Sequence, residues 1–213
     1  MFFLPSAEAL AAFTVASLIL ALTPGPDMTL FIGQTLTAGR ARGIAAMLGA
    51  CTGLLVHSML VPFGLSALLV ASAAAFTAIK IVGAIYLVWL GYQAVRHGSA
   101  LTIKHGAAKQ KSLGQVYLMG LGVNLLNPKI VMFFLTFLPQ FVSVNDPNAA
   151  GKLLFLGLYF TALGIPTCAL LIFMAEKFTA ALRKSPRVMR AIDWSFAGIM
   201  GAFAVRLLLA RNN

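Results

Sequence analysis

Charge is what this sequence has least of. Only 10% of its 213 residues are Asp, Glu, Lys or Arg, and only five are acidic. Soluble domains carry about 25% charged residues, so a soluble globule is excluded. Low-complexity disorder is excluded too, because 60% of the chain is hydrophobic and mean hydropathy is +0.92. The two cysteines, Cys51 and Cys168, are too few for a disulfide scaffold. Both sit in apolar stretches and read as small buried hydrophobes. The three histidines, His57, His97 and His105, lack metal-ligand spacing to one another or to cysteine. G-x-S-x-G, Walker A and H-E-x-x-H are all absent. The chain therefore reads as no enzyme, with no cofactor or metal. What remains is an all-α integral membrane protein, a single domain over 1–213.

The second imbalance is in sign: 16 Lys and Arg give a net charge of +11. Clusters at Arg40–Arg42, at Arg96–Lys111 and at Lys177–Arg190 hold eleven of the 16. Basic loops between apolar runs are the mark of the positive-inside rule. The basicity then reports topology and contact with anionic lipid, not nucleic acid.

A helix needs about 20 apolar residues to span roughly 30 Å of hydrocarbon. No charge lies between Glu8 and Asp27, or over the 37 residues between Arg42 and Lys80. The second stretch fits a long second helix, a tight turn near residues 71–76 and a third helix that contains Lys80 and runs to about Val95. A polar loop follows over about 98–112. The fourth span covers about 113–142, the fifth 152–175 and the sixth 191–209. All three basic clusters follow odd-numbered spans, so they face the cytoplasm and both termini lie outside. No Lys or Arg precedes the first apolar run, so a cleaved signal peptide is not expected.

Six spans in two groups of three form an inverted repeat. Repeat one covers about 1–97 and repeat two about 113–213. The first span carries "LTPGPDM" (22–28) and the fourth "LLNPKIV" (125–131). Proline inside a helix removes a hydrogen bond and clashes with the preceding turn, at about 3 kcal/mol. Both helices should stop and restart, with Thr23 and Asn127 as caps and Pro26 and Pro128 in the first turns. Free N–H groups and a positive dipole end then lie at membrane depth, where only protein or a watery cavity can satisfy them. Broken helices in corresponding halves point to a transporter's binding site. They are also compatible with kinks that merely shape the bundle.

Ionisable residues follow each break. Asp27 is a functional candidate because a charge inside a span is costly, and it also suits the first turn of a half-helix. Lys129 opposes its own helix dipole, so a specific partner is expected: Asp27, a substrate carboxylate, or the interface reached by snorkelling. His57, in the second span, can relay protons or bond a neighbouring helix. Gly49 and Gly53 form a G-x-x-x-G that permits close packing. Glu176 reads as interfacial, Asp193 as first-turn capping of the sixth span, and Lys80, Tyr86, Trp89 and Tyr92 as interface anchors and packing.

The stretch 21–57, "ALTPGPDMTLFIGQTLTAGRARGIAAMLGACTGLLVH", resembles the N-terminal signature of the LysE/RhtB family of amino-acid exporters. "IVGAIYLVWLGYQAVR" (81–96) and "GLGVNLLNPKIVMFFLTFLPQFV" (120–142) resemble its third- and fourth-helix patterns, in the same order and over nearly the whole chain. The resemblance implies six helices and proton-coupled export of amino acids across the inner membrane. Carried over by position, it marks Pro24, Gly25, Pro26 and Asp27, and Asn127, Pro128 and Lys129, as the substrate site; beside it, the reading of the residues themselves makes Asp27 and His57 the candidates for proton coupling. Leu54 departs from the pattern: many members carry an acidic or amide residue there. A polar contact, or part of the ion coupling, is then lost or moved to His57.

The cargo expected is a small neutral amino acid of the homoserine, threonine or leucine kind. Basic amino acids, another small solute or a cation are alternatives within transport, and a membrane scaffold or sensor without flux is the alternative outside it. A homo-oligomer is compatible with all of these.

Overall fold

In the computed structural model the described residues are 4–23, 25–71, 111–143, 146–175, 177 and 185–209, with ten positions between 81 and 96. Among them the chain is helical throughout, with no strand. Helix α1 (Ala7–Leu22) starts where the Ser6 side chain accepts from the Ala9 amide at 3.2 Å, and Glu8 favours the positive end of its dipole. Helix α2 (Pro26–Ala38) stops at Gly39, whose φ of +91° suits glycine. Helix α3 (Arg40–Ala71) continues through an internal Pro62. Helix α4 (Leu113–Leu125) opens with a reciprocal capping box between Ser112 and Gln115. Helix α5 (Pro128–Met132) runs on as a π turn (Phe133–Phe137) and a 3-10 turn (Leu138–Phe141). Helices α6 (Ala149–Phe173) and α7 (Pro186–Leu209) complete the chain.

Two unbroken helical stretches, Arg40–Pro62 and Ala149–Phe173, are long and apolar enough to cross a membrane. Two more crossings arise if each bent pair is one span: α1 with α2, bent by 50°, and α4 with α5, bent by 47°. These match the first, second, fourth and fifth expected spans. The ten described positions between 81 and 96 are helical, as the third span requires. The turn expected near 71–76 lies outside the described residues from 72 on, as do the 97–110 loop, Lys80, Tyr86, His97, His105 and Glu176. Trp89 and Tyr92 are exposed, as anchors at an interface should be.

The last helix starts five residues before the expected boundary, at Pro186. Asp193 therefore lies inside α7 and is buried, instead of standing in a first turn. Proline suits the first helical position, and that signal in the basic stretch outranks the apolar onset at Ala191.

Helix α3 is the central element, packed against α2, α4 and α6. A Cβ on Gly49 would collide with the Tyr117 carbonyl oxygen, and one on Gly120 with that of Ala46. Backbone meets backbone along the α3–α4 seam, the close approach small residues permit in membranes. One core cluster is aromatic: the Phe13 ring stands edge-on to Phe141 at 5.1 Å, and Phe133 lies 4.4 Å from Phe160. A second gathers Met28, Phe31, Ile32 and Met47 with α6 residues Leu171 and Ile172. The two broken elements meet between these clusters.

Candidate functional site

At the first break, α1 ends on Thr23, whose amide and hydroxyl both donate to the Ile19 carbonyl, at 2.9 and 2.7 Å. Thr23 thus closes the first half-helix and does not cap the second, correcting the sequence expectation. The cap of α2 is Gly25, in extended backbone and with no side chain to offer. Pro26 takes the first helical position and Asp27 the second. Pro24 lies outside the described residues.

The second break follows the sequence more closely. Asn127 caps α5, its Oδ1 accepting from the Lys129 amide at 3.0 Å, and Pro128 takes the first position.

The two breaks are braced across one another. The Lys129 ammonium donates to two carbonyls at the end of α1, that of Leu20 (3.1 Å), which also takes a long bond from the Thr23 amide, and that of Thr23 (2.9 Å). A cation unfavourable at its own helix start is favourable at another's C-terminus. Gly25 gives it room: a Cβ there would stand 3.2 Å from Nζ. In return, Asp27 Oδ2 accepts from the side-chain amides of Asn124 and Asn127, both at 2.9 Å. Asp27 and Lys129 do not pair directly; among the described residues the only ion pair joins Lys152 to Asp146.

Asn124 was not singled out by sequence, although it stands three residues before Asn127. That spacing puts both amides on one side of the broken helix. Gly53 shapes its approach, since a Cβ there would meet Asn124 Oδ1 at 2.5 Å. The G-x-x-x-G therefore does two jobs, helix contact at Gly49 and placement of an amide at Gly53.

A cavity of about 60 Å³ opens at the breaks and is lined by Gly25, Asp27, Asn124, Asn127 and Lys129 among others. It is room for a few water molecules at about 10–15 Å³ each. Among the described residues, Asp27 Oδ1 is buried there with no hydrogen-bond partner. Leu54, Cys51 and Cys168 also line it. The two cysteines are free thiols, but they are only partly buried and form cavity wall, where the sequence reading expects buried filling.

His57 lies three residues beyond Leu54 on α3. Its ring stacks on Phe134 at 5.4 Å, it faces the backbone carbonyl of Asn124, and among the described residues its buried Nε2 has no partner. It is not among the residues that line the cavity. No group of three His, Cys, Asp or Glu that would hold a metal ion occurs among the described residues.

A family model described as "LysE type translocator" matches residues 18–211. The homoserine/homoserine lactone efflux protein of Salmonella typhimurium (strain LT2) is 31% identical over 207 residues, covering 94% of this chain and 96% of that protein. The threonine efflux protein of Salmonella typhi is 29% identical over 207 residues, 93% of this chain and 98% of that protein. The leucine efflux protein of Enterobacter sp. (strain 638) is 27% identical over 201 residues, 92% of each. No solved structure matches the chain.

Proposed function

The chain belongs to the LysE family of translocators, and on that premise we propose that it exports small neutral amino acids from the cytoplasm by proton-coupled secondary transport. The observation that carries this reading is the cavity at the crossed breaks, which offers both signs of charge. An amino acid is a zwitterion and needs both. Asp27 Oδ1, buried and unpartnered, receives the ammonium. Lys129 spends two of its three donors on α1 carbonyls; the third, with the start of α5 after Asn127 and Pro128, receives the carboxylate. Gly25 and Pro26 keep the first break open for Lys129, and Pro24 belongs to the same proposed site.

The wider arrangement belongs to the same proposal. Six spans form two inverted three-helix repeats in the inner membrane, with both termini outside. The near-equal bends of 50° and 47° at proline-started half-helices support the repeat. Asp27 and His57 carry the coupling proton. His57 meets the carbonyl of Asn124, the residue whose amide holds Asp27.

Efflux from preloaded cells tests the proposal. Cells making the chain should release neutral amino acids faster than controls, and Asp27→Asn should cut that release about tenfold to a hundredfold at equal membrane abundance, the worth of a charge-assisted hydrogen bond. Asparagine keeps an oxygen for Asn124 and Asn127, so the fold should survive. Wild-type efflux in this variant would reduce Asp27 to a brace. A scaffold without flux gives no reason for a cavity holding two charges. A divalent cation would need more oxygen ligands than the single carboxylate there.

A further inference from the structure

The polar and apolar linings of the cavity come from different parts of the fold. Thr23, Asp27, Asn124, Asn127 and Lys129 all belong to the breaks. The remaining wall is Met28, Phe31, Met47, Cys51, Phe160 and Cys168, with aliphatic neighbours. Four of those six residues carry sulfur, and they come from α2, α3 and α6.

The polar end has little left for a substrate side chain. The Thr23 hydroxyl is spent on Ile19. Both ends of the Asn127 amide are used, by Asp27 and by the Lys129 backbone. The Asn124 amide nitrogen is held by Asp27, and its unpartnered oxygen is turned against Gly53 in the α3–α4 seam. What remains, Asp27 Oδ1, one Lys129 donor, one N–H on each of the two amides and the acceptor side of the Thr23 hydroxyl, lies at the breaks beside the substrate's own ammonium and carboxylate. A substrate hydroxyl turned toward the wall of Met28, Met47, Cys51 and Cys168 would meet only thiol, thioether and hydrocarbon, and sulfur is a weak partner. Burying it unpaired costs affinity.

We infer that this exporter selects amino acids with aliphatic or thioether side chains, leucine- and methionine-like, over their hydroxylated counterparts. The inference rests on the proposed export reading and adds the substrate class. Flexible, polarisable Met28 and Met47 adapt to branched or straight apolar chains. An apolar wall rejects an added hydroxyl only moderately, by about a hundredfold at most.

The test is efflux of leucine, methionine, threonine and homoserine from proteoliposomes of the full chain, loaded at equal concentration. Leucine and methionine should leave roughly tenfold to a hundredfold faster than threonine and homoserine. Cys51→Ser and Cys168→Ser, which put a hydroxyl into the wall, should narrow that ratio severalfold. Threonine or homoserine leaving as fast as leucine would overturn the inference and leave the exporter reading standing. So would a ratio unmoved by both serine variants. Release of none of the four above empty vesicles would overturn the exporter reading itself.

Discussion

Asp27 and Lys129 hold the same step, the second helical residue, in two half-helices that each begin on proline, and each reaches across to the break the other follows. Lys129 binds the last carbonyls of α1, and Asp27 binds the amides that flank the start of α5. Opposite charges at matched positions thus brace two breaks without touching each other. Each break is costly alone, because it leaves backbone groups that lipid cannot satisfy. Crossing the side chains satisfies one break from the other and leaves one oxygen of Asp27 over.

Lys129→Met should orphan the Thr23 carbonyl and leave that of Leu20 only the long bond from the Thr23 amide. A buried group left unpaired costs roughly 1–3 kcal/mol, and the loss should be of that size, read as a lowered Tm in detergent. Because no direct ion pair exists, adding Asp27→Asn should not restore stability. A double variant clearly more stable than Lys129→Met alone would mean that the two charges face each other unpaired in the single variant, and the crossed arrangement would be wrong.

Outside the apolar layer, Lys152 and the Asn148 amide both bond the Asp146 carboxylate before α6. The Lys152 hydrogen bond, ahead of the Asn148 amide, holds that carboxyl below its usual 3.8. A depressed folded value gives stability that is present above the unfolded value and lost as pH falls through the folded one. Asp146→Asn should therefore lower Tm slightly at pH 7, and the gap should close below about pH 4. A gap unchanged at pH 3 would show that the ion pair contributes nothing.

Much of this was legible in the residues. Proline within apolar runs located both breaks, because no helix tolerates that missing bond without restarting. Asn127 announced its capping role, since side-chain capping is a local act. Thr23 did not: whether a threonine closes one helix or opens the next depends on the backbone of Gly25. The crossing itself was illegible, because it joins residues about a hundred apart and depends on how the halves dock. Asn124 was hidden for the same reason; an amide in an apolar helix looks like any interhelical hydrogen bond until Asp27 is placed beside it.

The glycines of α3 should separate in experiment. Gly49→Ala sets a methyl against the Tyr117 backbone, which cannot swing aside. Overpacking of that kind costs about 1–3 kcal/mol, so Tm should fall. Gly53→Ala meets the Asn124 side chain, which can turn away at the expense of its bond to Asp27. Its loss should appear in efflux more than in Tm. Equal effects of both variants on Tm, with efflux intact in Gly53→Ala, would remove Asn124 from the working site.

Topology is open to cysteine labelling in intact cells, in a background with Cys51 and Cys168 replaced by alanine. A cysteine beside Asp146 should react from outside, and one within 98–110 should be protected, because basic loops stay cytoplasmic. Labelling of the 98–110 loop from outside would reverse the orientation.

The last prediction concerns His57. Its Nε2 is buried without a partner, its ring is fixed against Phe134, and it faces the carbonyl of the residue whose amide holds Asp27. An imidazole that only packed would gain nothing from an unpaired nitrogen, since such a group costs about 1–3 kcal/mol. A relay needs that nitrogen free in one state so that a proton can arrive in another. His57→Asn keeps a polar side chain of smaller size but loses the titration. Efflux measured from pH 5.5 to 8.5 should then lose its pH dependence in that range, with the protein at normal membrane abundance. His57→Phe keeps the stacking on Phe134 without the nitrogen and separates packing from protonation. It should fold as well as the parent and share the flat profile of His57→Asn. A parental pH profile in both variants would assign His57 to packing and leave Asp27 as the proton carrier.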